Sequence, residues 1–173
     1  MAAEKTYRAG IIGVGRKGHG HARGYAGNPR TEVVAAADPD ASNLAIFLER
    51  FSVTGYADYH EMLAQEEIDI AAPILPVSPN PKVVIDCARA GVRAIYCEKP
   101  MAASLAESDA MVEECASRGI AFASGDAYAP ALEGETADRR GRNRRSAKHQ
   151  PVPVYQRDIG GRMPGVERPA SVR

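Results

Sequence analysis

The sequence predicts a doubly wound α/β domain, in which a parallel sheet lies between two layers of helices. Short apolar runs alternate with helix-like segments as far as residue 125. A glycine-rich turn follows the first run, and breakers such as Gly27-Asn28-Pro29 separate later segments. Because parallel neighbours need a crossover connection, this alternation favours βαβ units and a Rossmann-type sheet.

Apolar periodicity and turn residues define the elements of the first half. Asp38-Pro39-Asp40 ends the second apolar run and suits a turn into a helix. In chain order, the predicted elements are a strand over 9–12, a helix over 19–26, a strand over 32–37, a helix running to Phe51, a short strand over 55–57 and a helix over 59–65.

The second half continues the alternation. Ser104 and Glu107 match a capping box, and Gly91 suits the residue that follows a helix. In chain order, the predicted elements are a strand over 68–75, a helix opened by Ser78-Pro79 and ended by Ala90-Gly91, a strand over 92–97, a helix from Ser104 to Arg118-Gly119 and a strand over 120–123.

The composition is typical of a globular domain. Of 173 residues, 45% are hydrophobic and 25% are charged, and the formal net charge is zero. The N-terminus runs into the first strand without a long apolar segment, so we expect no signal peptide, no membrane partner and a cytoplasmic location. Cys87, Cys97 and Cys115 lack metal-ligand spacing, so we expect apolar core residues and no metal site.

The regular alternation ends near Ala129, where the charge balance reverses. Residues 1–132 contain 12 Lys and Arg against 17 Asp and Glu, whereas residues 133–173 contain 10 against 5, with five arginines in 139–145. We therefore expect a folded domain over 1–128 and a basic, disordered Gly/Pro/Arg-rich tail over 129–173. A shifted reading frame or a truncated gene is the favoured explanation, and an arm that binds nucleic acid is the less favoured one.

Gly13-Val14-Gly15-Arg16-Lys17-Gly18 is a G-x-G-x-x-G between a predicted strand and a predicted helix. In such a turn Gly13 permits the tight reversal, Gly15 lets the backbone approach a pyrophosphate, and Gly18 allows the helix to pack closely on the strand. The helix N-terminus attracts the anion. The motif alone is weak evidence, but its place between strand and helix predicts a dinucleotide site.

Asp38 supports the same interpretation, because it ends the second strand 20 residues after Gly18. A carboxylate at this position can accept hydrogen bonds from the adenosine ribose. Its charge repels a 2′-phosphate, which favours NAD over NADP. Arg16 and Lys17 leave NADP open, because a cation near the pocket can receive that phosphate; the alternative is that both are solvated loop residues.

Glu98-Lys99-Pro100 follows the fifth strand at its carboxyl end, where open α/β sheets bind their ligands. An ammonium group at Lys99 can steer a substrate, bind the nicotinamide ribose or supply a proton. A solvated surface turn is the alternative interpretation. Glu98 and Lys99 are therefore candidate cofactor-binding residues.

These motifs resemble the Gfo/Idh/MocA oxidoreductases, the family of glucose-fructose oxidoreductase and inositol dehydrogenase. The resemblance covers residues 7–128, and the matching segments are 13–18 with His21, 33–38 and 90–100. It implies that Lys99 lies near the nicotinamide and assists proton transfer during hydride transfer to or from a sugar or polyol. It also implies a cis bond before Pro100, and we expect His21 to be a packing or capping residue of the first helix.

The sequence departs from the family in two places. Members commonly carry Thr-Pro and then His after the fourth strand; here Pro76 fits and stays a cofactor-binding candidate, whereas Leu75 and Asn80 do not fit. Members also have a C-terminal α/β domain that supplies the substrate pocket. We expect the 45 residues after Tyr128 to be too few to build it.

Two functions therefore stay open at this point. As an enzyme, the chain would bind NAD and use Lys99 in hydride chemistry, with the rest of the site supplied by a partner. As a binding protein, it would hold NAD without turnover, because transition-state contacts need a second wall. We favour binding without efficient catalysis for this chain. An open edge at the sixth strand favours self-association into a homo-oligomer.

Overall fold

The computed structural model describes residues 5–125, which form six strands and five helices. The strands are β1 (Tyr7–Ile12), β2 (Thr31–Ala37), β3 (Thr54–Tyr56), β4 (Ile70–Pro73), β5 (Ala94–Glu98) and β6 (Ala121–Gly125). The helices are α1 (Arg16–Ala26), α2 (Ala41–Leu48), α3 (Tyr59–Gln65), α4 (Asn80–Arg89) and α5 (Leu105–Ser117). The tail predicted over 129–173 lies outside the described residues.

The strands form one parallel sheet in the order β3-β2-β1-β4-β5-β6. The chain moves outward from β1 through β2 and β3, then crosses back and continues outward from the other side of β1. This confirms the doubly wound α/β fold. The loops after β1 and β4 diverge at the point where the order reverses, and in open sheets of this kind ligands bind at that point.

Helices cover both faces of the sheet. On one face, α1 and α2 contribute Ala22 and Phe47 to a core that includes Ile11 and Ala72. On the other face, α3, α4 and α5 pack against the sheet. Their buried residues in this second core are Met62, Val83, Val84, Cys87, Ala88, Met111 and Cys115. The two cores account for the apolar periodicity of the sequence.

The three cysteines are buried and free, as predicted. Burial raises the pKa of Cys115 to about 11 and also raises the pKa values of Cys87 and Cys97. The thiols are therefore neutral near pH 7 and behave as small apolar side chains. Within residues 5–125, no group of three or more His, Cys, Asp or Glu side chains is arranged to hold a metal ion.

Local capping explains where several helices begin. The Asp40 carboxylate accepts hydrogen bonds from the backbone N–H groups of Ser42 and Asn43 at 2.8 and 3.1 Å. The predicted capping box is present: Glu107 N donates to Ser104 Oγ at 3.2 Å, and Ser104 N donates to the Glu107 carboxylate at 3.1 Å. These side chains satisfy donors that a helix start leaves free.

The boundary of α1 differs from the prediction. The helix begins at Arg16 rather than at residue 19, with Gly15 as its N-cap residue. The glycine turn therefore ends at Gly15, and Arg16, Lys17 and Gly18 form the first helical turn. A helix that starts immediately after the strand reversal points its free N–H groups back toward the sheet edge, which favours the earlier start.

The predicted ends of several other elements were also wrong, by no more than three residues. We predicted that the helix containing Phe47 would reach Phe51, but α2 ends at Leu48; Phe51 still stacks on Phe47, with ring centroids 4.5 Å apart. The strand predicted over 68–75 is shortened to β4, because its ladder with β1 ends where Ile12 pairs with Pro73. No described helix is long and apolar enough to cross a bilayer.

His19 is expected to make stability depend on pH. It is buried between α1 and α2 with its ring near Phe47 and Phe51. Burial, reinforced by the charges of Arg50 and Arg23, lowers its pKa below the ordinary 6.5. The unfolded chain therefore takes up this proton first, so the histidine destabilises the fold as pH falls through about 6.5.

We expect the wild-type chain to lose more stability between pH 7.5 and pH 5 than the His19→Leu variant, since leucine cannot take up a proton. Chemical denaturation at each pH measures the free energy of unfolding. The two proteins are compared by how steeply this free energy changes with pH, because the substitution also changes its value at every pH. Parallel slopes for the two proteins would show that His19 protonation is not coupled to folding.

Candidate functional site

The glycine turn lies between the end of β1 and the start of α1. Gly13 adopts φ +86°, and its N–H donates to Ala37 O at 2.8 Å, which joins the turn to the end of β2. A Cβ atom at Gly13 would lie 2.5 Å from the carbonyl oxygen of Ile74, and one at Gly18 would collide with the carbonyl oxygen of Gly13. The fold itself therefore requires Gly13 and Gly18.

Gly15 differs from these two glycines. A Cβ atom built at Gly15 meets no protein atom within 4 Å, so the fold leaves the space beside it open. Gly15 is the N-cap of α1, and no side chain caps this helix or places a carboxylate in its first turn. The first N–H groups of the helix lack intrahelical acceptors and attract anions. This arrangement fits a pyrophosphate against the backbone of Gly15.

Asp38 lies at the carboxyl end of β2 and is 8% exposed. One carboxylate oxygen accepts a hydrogen bond from Val14 N at 2.8 Å, and the other accepts one from Asp40 N at 2.9 Å. The side chain therefore holds the glycine turn as well as facing the cavity beside it. The spacing of Asp38 from the motif predicted the ribose contact but did not reveal this link to Val14.

Two cavities meet at the carboxyl edge of the sheet. The larger, which we call the Asp38 cavity, has a volume of about 680 Å³, and the smaller, the Lys99 cavity, has a volume of about 390 Å³. Residues that line both are Gly15, Ile74, Leu75 and Pro76. These residues follow β1 and β4, the strands between which the sheet order reverses. The combined space is of the size of ordinary ligand sites.

The predicted cofactor residues divide between the two cavities. Asp38 and Gly13 line the larger one, whereas Arg16, Lys17 and Lys99 line the smaller one together with Glu98. Arg16 and Lys17 therefore do not share the cavity of the Asp38 carboxylate. Lys17 Nζ lies 3.5 Å from Glu98 Oε1, on the side of the glycine turn that faces β5.

Glu98 is the buried carboxylate of the smaller cavity and is 5% exposed. Its Oε2 accepts a hydrogen bond from Lys99 N at 2.9 Å, and its Oε1 lies 3.4 Å from Nε2 of His21. His21 is buried on α1 with its ring 5.5 Å from that of Tyr96. His21 therefore packs against Tyr96 and connects α1 to the carboxylate at the end of β5.

Lys99 is exposed at the rim of the smaller cavity, one residue beyond β5. The peptide bond between Lys99 and Pro100 is cis, as the resemblance implied. Pro76 lines the wall shared by both cavities. The arrangement thus places an ammonium group at one end of a continuous crevice and a carboxylate at the other.

Several residues of the larger cavity were not identified from the sequence. Asp58 and Tyr59 follow β3, and Pro79 and Val83 lie at the start of α4. The Tyr59 hydroxyl donates to Asp86 at 2.7 Å and accepts from Lys82 at 3.1 Å, which holds the ring in place. In the sequence, these residues follow the carboxyl ends of predicted strands, which is where ligands bind. No motif distinguishes them from ordinary turn residues.

Fold and site together define a dinucleotide-binding Rossmann domain. Residues 7–125 match the sequence model of a family described as "Oxidoreductase family, NAD-binding Rossmann fold". The chain belongs to this family, the Gfo/Idh/MocA oxidoreductases. This confirms the resemblance that the glycine turn and Glu98-Lys99-Pro100 indicated, and it confirms NAD as the cofactor of the matched domain.

Individual relatives agree with this family assignment. The chain is 32% identical to a myo-inositol 2-dehydrogenase of Thermotoga maritima over 108 residues, which is 62% of this chain and 32% of that protein. It is 31% identical to a D-apiose dehydrogenase of Paraburkholderia graminis over 118 residues, covering 67% of this chain and 31% of that protein. The chain thus spans about a third of the length of these curated relatives.

Solved structures show the same similarity in three dimensions. The myo-inositol 2-dehydrogenase of Lactobacillus plantarum matches with a TM-score of 0.65 and 33% identity, over 70% of this chain and 36% of that one. The WlbA dehydrogenase of Bordetella pertussis, solved with NADH and UDP-GlcNAcA, matches with a TM-score of 0.67 and 26% identity, over 69% of this chain and 37% of that one.

The different surroundings of Gly15 and Gly18 predict opposite outcomes for the same substitution. We expect Gly15→Ala to leave the melting temperature nearly unchanged and to weaken binding of NAD on the order of tenfold, because the added methyl group enters the open space. Gly18→Ala should lower the melting temperature by several degrees, because its methyl group meets the carbonyl of Gly13.

Thermal denaturation and titration with NAD, carried out on both variants, measure these effects. Gly20→Ala is a matched control, since a Cβ atom there also meets nothing within 4 Å and Gly20 lines neither cavity. If Gly15→Ala bound NAD as tightly as Gly20→Ala does, the open space at Gly15 would not be the pyrophosphate site.

Proposed function

We propose that this chain binds NAD along the two cavities and is the cofactor domain of a dehydrogenase that acts on a sugar or polyol. The observation that carries the proposal is the open space at Gly15, where the Asp38 cavity and the Lys99 cavity meet beside the start of α1. A dinucleotide needs such a site, with two pockets for its nucleoside halves and an anion site between them.

The charges of the two cavities support one orientation of the cofactor. The adenosine ribose lies with Asp38, whose carboxylate can accept from ribose hydroxyls in addition to its two backbone hydrogen bonds. The pyrophosphate lies at the N-terminus of α1. The nicotinamide half then lies in the Lys99 cavity, beside Glu98 and Pro76.

The same charges support NAD rather than NADP. The Asp38 carboxylate lines the larger cavity at the place where a 2′-phosphate would be held. Arg16 and Lys17, the cations that left NADP open, line the other cavity. A 2′-phosphate at Asp38 would therefore meet negative charge.

The chemistry proposed for the Lys99 cavity is the oxidation of an alcohol or its reverse. NAD, when bound, supplies the hydride acceptor or donor. Lys99, at the rim of this cavity, takes up the hydroxyl proton of the substrate or returns it. Glu98 holds the backbone N–H of Lys99 and so helps to orient the loop. The relatives named for myo-inositol and D-apiose motivate the substrate class.

A second function, NAD binding without efficient turnover, is favoured by the exposure of Lys99. Efficient hydride transfer needs a site closed to water and a second wall that positions the substrate. The described residues leave the lysine open to solvent. For residues 5–125 taken alone, we therefore propose binding of the cofactor, with substrate turnover dependent on residues beyond this range.

The Asp38→Asn variant tests the cofactor preference. Asparagine retains an acceptor for Val14 N or Asp40 N but removes the charge, so we expect the preference for NAD over NADP to fall about tenfold. Isothermal titration with both nucleotides measures it. Asp58→Asn is the matched control, since it removes a carboxylate of the same cavity and keeps a good N-cap residue for α3. An unchanged preference in Asp38→Asn would contradict the proposed orientation.

The Lys99→Met variant separates binding from chemistry. Because Lys99 is exposed at the rim, we expect the affinity for NAD to change less than about threefold, and any slow reduction of NAD by myo-inositol or D-apiose to be lost. Titration and NADH absorbance measure the two effects. A wild-type chain that turns over at about 10 per second, the rate of ordinary enzymes, would show that no second wall is needed.

A further inference from the structure

Asn80, the first residue of α4, is fully buried. Its Nδ2 group donates to the carbonyl oxygen of Glu98 at 3.1 Å and to that of Met101 at 3.3 Å. These two carbonyls lie on either side of Lys99-Pro100. One side chain of α4 therefore holds both ends of the segment that carries the lysine.

The direction of the amide group is determined by its partners. Carbonyl oxygens accept hydrogen bonds and cannot donate them, so the NH₂ group of Asn80 must face Glu98 and Met101. The Oδ1 atom is then left buried, with no hydrogen-bond partner among the described residues. The contribution of Asn80 to the loop is therefore made by its two N–H donors.

The backbone of this segment has few other ways to hold its shape. Pro100 has no N–H group, and Lys99 N donates to the side chain of its own neighbour, Glu98. The hydrogen bonds from Asn80 therefore join the loop after β5 to α4, an element outside the loop itself. Lys99 of this loop and Pro76, which precedes α4, both line the Lys99 cavity.

We propose that Asn80 is a positioning residue for Lys99, which fixes the lysine relative to the nicotinamide half of the crevice; this rests on the proposed binding of NAD. Asn80 offers two N–H donors on one nitrogen and so serves two carbonyls at once. Asn80 itself lines neither cavity, but the two carbonyls that it holds flank Lys99, which lines the Lys99 cavity. Its loss is therefore transmitted through the loop after β5 to the nicotinamide half, whereas the contacts of Asp38 are left in place.

The test compares titrations of NAD and ADP in wild type and in Asn80→Leu. ADP keeps the adenosine half and the two phosphates but lacks the ribose and the base of the nicotinamide half. Leucine fills a similar volume but donates no hydrogen bond. We expect NAD binding to weaken on the order of tenfold and ADP binding to stay within twofold. The loss of NAD affinity exceeds that expected for Lys99→Met, because the released carbonyls of Glu98 and Met101 let the backbone of the whole loop move and not the lysine side chain alone. The Asn80→His variant should recover part of the loss, because its ring N–H can reach one carbonyl.

Val84→Ala is the control for stability, since Val84 is fully buried on the same helix and touches neither cavity. It should lower the melting temperature and leave the ratio of the two affinities unchanged. The proposal is overturned if Asn80→Leu weakens both ligands equally or neither. A wild-type chain that binds neither ligand overturns the proposed function, and this inference with it.

Hydrogen exchange of the Asn80 side-chain amide can be measured in the wild-type chain. This measurement needs no substitution, so an unfolded variant cannot affect it. Two hydrogen bonds in a buried position should slow its exchange well below that of the exposed amide of Asn28. Exchange at the same rate as Asn28 would show that the amide does not hold the loop, and would overturn the proposal.

Discussion

The contact between the carbonyl of Gly13 and the backbone of Gly18 determines where α1 begins, and the rest of the site is arranged around that point. Because neither residue carries a side chain, the helix can start directly above the end of β1. Its free N–H groups then lie at the point where the strand order reverses. The hydrogen bond from Val14 N to Asp38 holds the same turn from the side of β2.

This arrangement separates two chemically different ends of one crevice. Asp38 lines the cavity on the side of β2, whereas Lys17, Lys99 and Glu98 line the cavity on the side of β5, and Gly15 lines both. The separation follows from topology, because β2 and β5 lie on opposite sides of the central pair β1 and β4. An elongated ligand with two different ends therefore has one favourable orientation in the crevice. A compact ligand does not reach both ends of the crevice.

The order of elements was predicted well because each strand and helix has its own apolar period. Capping residues such as Asp40 and Ser104 also mark where helices begin. The sequence predicted the glycine roles because they depend on local backbone geometry. It failed at the start of α1 and the ends of β4, which depend on pairing with strands distant in sequence. For the same reason it treated Asn80 as a mismatch, since the carbonyls that Asn80 binds are 18 and 21 residues away.

The loop after β5 is held from both faces of the sheet, so its position depends on helices of both layers. On one face, His21 and Lys17 of α1 approach the Glu98 carboxylate. On the other face, α4 supplies Asn80 to the carbonyls of Glu98 and Met101. The link from α4 consists of two N–H donors on one nitrogen, and a side chain with a single ring N–H group in reach can replace only one of them. The position of the lysine therefore depends on the residue type at position 80 as well as on the backbone of the loop.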